Sequence, residues 1–304
     1  MAPMDKLRAL ETFVAIVDRG SLTAAADALD SSLPAVVRQL AALESQLGVR
    51  LLHRTTRRLS LTEDGRLYLE RVRRILADVE EADRSLLASS AAYEAEPSGT
   101  VSVTAPVLFG HMHVAPAVAR FLQRYPKMRV NLVLLDRVVD LVQEGHDLAV
   151  RIAHLADSSL VAQAVGRIGR VVAASPDWLR RHGTPRHPRE LSKFNCITGM
   201  EGRQWTFVDE NGKPFSVPVQ GNLECNLGAP RLEACAAGLG LSRFQSYQVV
   251  PYVREKRLRV VLAEFEEPPR NVSLVYPSAR LLPLRTRVFI EWMKQELQAT
   301  LDAQ

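Results

Sequence analysis

Between Asp5 and Arg19, the apolar residues Leu7, Leu10, Phe13, Val14 and Val17 recur at the spacing of a helix with one buried face. Gly20 ends that run, and Ser21 stands where it caps a second, alanine-rich helix over residues 23–29. Asp30 and Ser31 make a short turn. Ser32 then caps a third helix, which carries Pro34 in its first turn, where a missing N–H costs nothing. Val36, Leu40, Leu43 and Leu47 form its buried stripe, and Gly48 stops it. Two short helices about a tight turn read as a helix-turn-helix, although a plain three-helix packing unit has the same grammar. Residues 51–52 and 59–61 follow as two short strands.

From residue 63 to about residue 90 the spacing becomes heptad-like. Val72, Val79 and Leu86 fall seven apart, as do Tyr68, Ile75 and Ala82, three residues out of step. Thr62 caps this helix, and Glu63 and Asp64 favour its positive N-terminus. One helix cannot bury this seam together with Leu69 and Leu76, so pairing with a second copy is expected; packing on the chain's own C-terminal half is the alternative. Residues 93–99, with Glu94, Glu96, Pro97 and Gly99, read as a hinge.

Beyond Gly99 the period changes. A β-rich run (100–104), a helix (114–125, with Val114, Val118, Phe121 and Leu122 inward), a strand (130–135), a helix (137–144) and a strand (147–152) alternate, which predicts a parallel sheet. A second α/β set comprises a strand at 170–174, a helix from Pro176, a strand at 195–198, a hairpin around 209–212, a helix at 230–237 and a strand near 239–244. A strand at 271–276 and an amphipathic helix at 284–301, with Val288, Phe289, Trp292 and Leu297, close the pattern.

Composition adds bounds. At 304 residues two or three domains are expected, and 47% hydrophobic with 24% charged residues suits a globular chain. No apolar run reaches the roughly 18 residues of a membrane span. The N-terminus lacks the basic-then-apolar order of an export signal, and the odd number of cysteines (Cys196, Cys225 and Cys235) favours reduced thiols; cytoplasm is the expected compartment. The net charge of +5 is small, so its distribution matters more than its total. Between Ser45 and Thr62 there is no acidic residue, yet Arg50, His53, Arg54, Arg57 and Arg58 are present. A two-stranded wing with Thr55, Thr56, Arg57 and Arg58 at its tip suits contact with the phosphates of double-stranded DNA.

With the wing in place, residues 20–65 (GSLTAAADALDSSLPAVVRQLAALESQLGVRLLHRTTRRLSLTEDG) closely resemble the N-terminal module of LysR-type transcriptional regulators. The alanine-rich helix, Ser-x-Pro-Ala-Val, Leu-Glu-x-x-Leu-Gly-Val, Arg54–Thr55 and Leu-Thr-x-x-Gly occur in that family's order. The resemblance implies a helix-turn-helix at 21–40 within a winged domain at 1–62, a linker helix at 63–93 for dimerisation, and an effector domain at 99–304. More loosely, it implies two α/β subdomains like those of periplasmic binding proteins, 99–168 with 268–304 and 169–267, the chain crossing near 167–170 and 266–270. It further implies promoter DNA as a partner and a tetramer built as a dimer of dimers. DNA contacts are expected from Thr23, Ser32, Leu33, Pro34, Val37 and Arg38, and from Arg54, Thr55, Thr56, Arg57 and Arg58 of the wing. Two positions depart from the family. Leu33 stands where Gln is common and Val37 where Ser or Thr is common. Either they read thymine methyl groups or they pack on a neighbour.

In open α/β sheets, ligands bind at the carboxyl ends of strands. That places Thr104, Ala105, Pro106, Phe109, Arg151, Ala153, Thr198, Gly199 and Phe244 around one cleft. A helix start near 109–113 directs free N–H groups at it, which suits an organic anion as effector. Arg151 adds charge there, or sits in a surface ion pair at a strand end. His111-Met112-His113 lacks the carboxylates or cysteines a metal site needs, Cys225 and Cys235 do not sit at the segment that peroxide-sensing relatives use, and Gly238-Leu239-Gly240 is a tight turn. No nucleophile–base constellation stands out, so neither metal, cofactor nor enzymatic activity is expected. A substrate-binding protein or enzyme carrying an incidental N-terminal bundle is the rival reading, and the basic wing and the lack of an export signal speak against it.

Overall fold

Asp5 accepts a hydrogen bond from the Arg8 amide and so opens the first helix, α1 (Lys6–Arg19), which Gly20 closes in the left-handed region at φ 66°. This computed structural model describes residues 5–54, 59–88, 96–153, 160–199, 202–277 and 282–302, and the chain divides into two units, Met1–Gly99 and Thr100–Gln304. The buried face of α1 is Ala9, Leu10, Phe13 and Ile16, rotated from the stripe expected. Leu7 lies in the first turn and is exposed. Helices α2 (Leu22–Ala28) and α3 (Leu33–Leu47) follow, capped by the side chains of Ser21 and Ser32, and Gly48 ends α3 at φ 71°. Strands β1 (Leu52–Arg54) and β2 (Leu59–Leu61) pair antiparallel, Leu52 opposite Leu61 and Arg54 opposite Leu59. The wing tip Thr55, Thr56, Arg57 and Arg58 lies outside the described residues.

Helix α4 (Glu63–Ala88) is continuous, but its first turns are spent locally. Leu69 and Val72 are buried in the core formed by Phe13, Ile16, Val36, Leu40 and Leu51, with Tyr68 and Leu76 packed against it. Val72 was expected on a pairing seam; instead it is fully buried within its own unit, because the first turns of α4 close the three-helix core. Ile75 is exposed and Val79 half-buried. The side chains of Ala82 and Leu86 lie outside the described residues.

The second unit runs β3 (Gly99–Ala105), α5 (Val107–Phe109), a π-helical turn (Gly110–Val114), α6 (Ala115–Arg124), β4 (Met128–Leu134), β5 (Leu148–Ile152) and β6 (Leu160–Ile168). It continues through β7 (Arg170–Ala174), α7 (Pro176–His182), β8 (Cys196–Ile197), β9 (Gln204–Val208), β10 (Pro214–Pro218), α8 (Gly228–Ala236) and β11 (Leu241–Gln245). It ends with α9 (Ser246–Arg254), β12 (Arg259–Val261), β13 (Arg270–Pro277) and α10 (Leu284–Asp302).

One sheet has the order β4-β3-β5-β13-β6, the other β12-β7-β11-β8. The first is mixed rather than parallel. β3 and β5 run together, but β13 returns from the second sheet in the opposite sense and inserts between β5 and β6. Phe121 of α6 meets Phe289 of α10 edge-on at 4.8 Å in the core behind this sheet. Trp178, Leu179, Trp205, Phe207 and Leu241 build a core beside the second. The chain passes between the sheets twice, at Gly169 and at residues 266–269, and the two crossings lie side by side, since Arg270 pairs with Ile168.

Residues 137–144 are not helical. Asp140 accepts hydrogen bonds from the amides of Val142 and Gln143 at 3.0 Å each, which holds a turn in place of a helix, and Gly145 adopts φ 71°. The side chain of Arg137 reaches over this turn to both oxygens of Glu144, at 2.8 and 2.6 Å.

Candidate functional site

In the first unit, α3 keeps Val36, Leu40 and Leu43 in the core and turns another side outward. Thr23 on α2 and Ser32, Leu33, Pro34 and Arg38 on α3 are exposed, and Val37 is half-buried. Leu33, at 42% exposure, is among the most accessible large apolar side chains of this unit. Gln39 is hydrogen-bonded to Thr12 of α1 and thereby committed to the scaffold. Arg54 ends β1, and its side chain lies outside the described residues.

What fixes the wing to this face is a residue that sequence reasoning passed over. Glu44 is buried, and its Oε1 accepts from the amides of Leu51 and Leu52 at 2.9 and 3.3 Å, while Oε2 meets Arg50 at 3.4 Å. A carboxylate that takes two backbone N–H groups is well satisfied in a low-dielectric interior. The carbonyl of Leu51 accepts from the Thr62 amide at 3.0 Å, and a Cβ on Gly65 would stand 2.0 Å from that oxygen. Only glycine therefore lets the start of α4 pass the wing at this distance.

In the second unit, a cavity of about 540 Å³ is lined by residues of both sheets, within the size range of small-molecule sites. Pro106, Arg151, Ala153 and Phe244 line it, as the sequence suggested. Thr104, Ala105, Phe109, Thr198 and Gly199 do not. Thr104 pairs with Ala149 and so shares its face of the sheet, but it is fully buried, with no hydrogen-bond partner for its hydroxyl among the described residues. Ala105 and Phe109 belong to the hydrophobic core, where Phe109 meets the ring of Tyr247 at 5.3 Å. Thr198 is buried beyond the end of β8. A Cβ on Gly199 would lie 2.5 Å from the guanidinium of Arg231, so this glycine acts by making room for an arginine. The free helix N-terminus is also corrected: the helix begins at Val107, and Asp136 already accepts its amide at 2.9 Å.

Four further arginines line the cavity: Arg137, Arg170, Arg231 and Arg243. Most are engaged. Arg137 holds Glu144. Arg243 is nearly inaccessible; it bonds Glu266 at 2.5 Å, meets Glu267 at 3.4 Å and lies over the Phe207 ring at 4.9 Å. Arg170, which opens β7 just after the first crossing, meets Glu267, on the second, at 3.7 Å. Arg231 donates to the carbonyl of Arg243 at 3.2 Å and lies over Phe244. Burial pushes the Glu266 carboxyl up, and Arg243 opposes that shift. Burial likewise pulls the Arg151 guanidinium below its ordinary value, with the Glu144 charge acting against it.

Leu108, Val139, Leu141, Ala149, Leu160 and Val275 supply the apolar part of the lining. Among the described residues no three His, Cys, Asp or Glu side chains cluster as metal ligands, and no helix is long and apolar enough to cross a membrane. Cys196 and Cys235 are buried thiols, each pushed up to about 12 by desolvation.

Residues 7–66 match the family of bacterial regulatory helix-turn-helix proteins of the lysR family, and residues 94–298 match the LysR substrate binding domain. The chain is 34% identical over 292 residues to the HTH-type transcriptional regulator CrgA of Neisseria meningitidis, covering 95% of this chain and 96% of that one. It is 33% identical over 297 residues to an HTH-type transcriptional repressor of Pseudomonas aeruginosa, covering 96% and 92%. Among solved structures, CrgA, described as a LysR-type transcriptional regulator, superposes with a TM-score of 0.61 over 95% of this chain and 98% of that one, at 33% identity. The full-length Vibrio cholerae virulence activator AphB superposes at 0.59 over 94% and 98%, at 26% identity.

Proposed function

The chain belongs to the LysR-type transcriptional regulators, and on that premise we propose that it reads promoter DNA with α3 and the wing while an organic anion in the arginine-lined cavity sets its activity. Its relatives are regulators, not enzymes. The carrying observation for the effector is the cavity itself: five arginines converge where the chain crosses twice between two sheets. The crossings divide the effector domain (99–304) into subdomains 99–168 with 268–304 and 169–267, and an anion bound in a cavity lined by residues of both shifts their arrangement.

On the DNA side, Thr23, Ser32, Pro34 and Arg38 meet the major groove and its phosphates, Leu33 and Val37 read thymine methyls, and Arg54, Thr55, Thr56, Arg57 and Arg58 track the backbone. The exposure of Leu33 and Arg38 supports this assignment. With Val72 and Leu69 spent in the winged domain (1–62), the pairing surface of the linker helix (63–93) starts at Ile75 and Val79. Pairing there gives the dimer that presents two recognition helices, and a dimer of dimers gives the tetramer. The protein acts in the cytoplasm, where promoter DNA is.

The test is a gel-shift titration on the DNA flanking the protein's own gene, at several salt concentrations. Specific binding that falls steeply with salt is expected, and Arg57→Ala should flatten the log–log slope by about one unit. Equal affinity for unrelated DNA at every salt concentration overturns the reading.

A further inference from the structure

We infer that the cavity is built for an organic monoanion with an apolar body, its carboxylate on Arg151 and its hydrocarbon laid over Leu141, Ala149, Leu160 and Val275; the inference rests on the cavity being the effector site.

The number of charges follows from which arginines are already engaged. Arg137, Arg170 and Arg243 each hold a carboxylate of the protein, on Glu144, Glu267 and Glu266 respectively, and Arg231 donates to a backbone carbonyl. Arg151 holds no carboxylate: its buried Nη2 has no hydrogen-bond partner among the described residues, and burial disfavours its charge. The Nε of Arg231 is likewise unsatisfied among these residues, but that guanidinium is already held by the Arg243 carbonyl and laid over the Phe244 ring. A guanidinium in the state of Arg151 gains from a ligand carboxylate, which supplies a countercharge and two acceptors matched to its fork. Among the described residues, a second acidic group on the ligand would have to compete for a guanidinium already held by a carboxylate or, at Arg231, by a backbone carbonyl and the Phe244 ring.

The nature of the body follows from strand register. Ala149 precedes Arg151 by two residues on β5 and so points to the same face. Val275 stands directly opposite Ala149 on β13. Leu141 and Leu160 complete one apolar cluster with that pair, and all four line the cavity. A ligand anchored at Arg151 therefore has apolar surface within a few carbons of its carboxylate. A second charge at that distance would be desolvated without a partner, which is costly.

The experiment uses the full chain and three probes: octanoate, phenylacetate and succinate. Calorimetric titration and thermal shift are expected to show binding of octanoate and phenylacetate at least about tenfold tighter than of succinate. Arg151→Gln should weaken both monocarboxylates by about ten- to a hundredfold, the range for a charged hydrogen-bonded contact, and Arg151→Lys by less, because it keeps the charge and loses the fork. Succinate binding as tightly as octanoate, with Arg151→Gln abolishing it, overturns the monoanion class and leaves the anion reading of the cavity standing. Affinities that Arg151→Gln does not alter overturn both. Failure of octanoate and phenylacetate to shift the wild-type melting curve overturns the class without recourse to any variant.

Discussion

Arginine has opposite tasks in the two units. Arg38 on α3 is exposed, projecting from a helix whose core-facing side is wholly apolar apart from Glu44. Arg243 in the second unit is nearly inaccessible, clasped by Glu266 and Glu267 and stacked over Phe207. A polyanion is gathered by solvated charge, which costs the fold little and is tuned by salt. A small anion in a cavity is discriminated by how few of the surrounding cations are still available. Abundance of arginine therefore says little about where a ligand's charge goes; the count of unengaged guanidiniums says more.

The sharpest way to break that contrast is Arg243→Ala. Removing one member of a buried pair leaves the desolvated Glu266 carboxyl without its main partner, to be protonated or kept charged at a cost, and the second unit should lose about 3–5 kcal/mol in denaturant unfolding. An unchanged midpoint would mean that the cavity's arginines are as dispensable to folding as surface ones. Next in size is Glu44→Ala, which strands the buried amides of Leu51 and Leu52. A loss of about 2–3 kcal/mol confined to the first unit is expected, partly restored by Glu44→Gln, whose amide oxygen still accepts. If the two variants unfold alike, Glu44 acts through its charge rather than as a backbone acceptor. The smallest effect on folding belongs to Arg38→Ala, within about 0.5 kcal/mol of wild type in stability. Its cost should appear on DNA, about 1–3 kcal/mol and confined to one base position of the operator. A loss spread evenly over all sequences would make Arg38 a phosphate contact.

These residues also mark where the sequence was legible. Ser21, Ser32, Pro34, Gly20 and Gly48 act within a few residues of themselves, so the helices they delimit follow from local chemistry. The engagement of an arginine is decided at long range: Arg243 meets Glu266 across 23 residues of chain, and no local pattern announces it. The same holds for Val72, whose heptad spacing fits a pairing seam and a domain core equally well until α1 and α3 are seen to enclose it. Strand β6 and helix α9 escaped notice because β6 alternates alanine and glycine with larger residues and α9 carries Pro251 in its interior. Residues 137–144 carry an acceptable helical spacing that Asp140 and Gly145 override. At the cavity, the strand-end argument named Pro106, Arg151, Ala153 and Phe244, which line it, whereas Ala105 and Phe109 are enclosed by the hydrophobic core and Thr104 is fully buried in the sheet.

The clamp on Leu51 has a consequence for how such a protein can diversify. Both backbone groups of that residue are taken, the amide by Glu44 and the carbonyl by Thr62, with Gly65 pressed against it. Recognition helix, wing and linker thus meet at one joint made of main chain and one acid, and none of the expected base-reading side chains takes part in it. Leu33, Val37 and Arg38 can be exchanged without disturbing that joint. The frame is separate from the α3 side chains proposed to read DNA, and exchange at those three positions is expected to leave the architecture as it is.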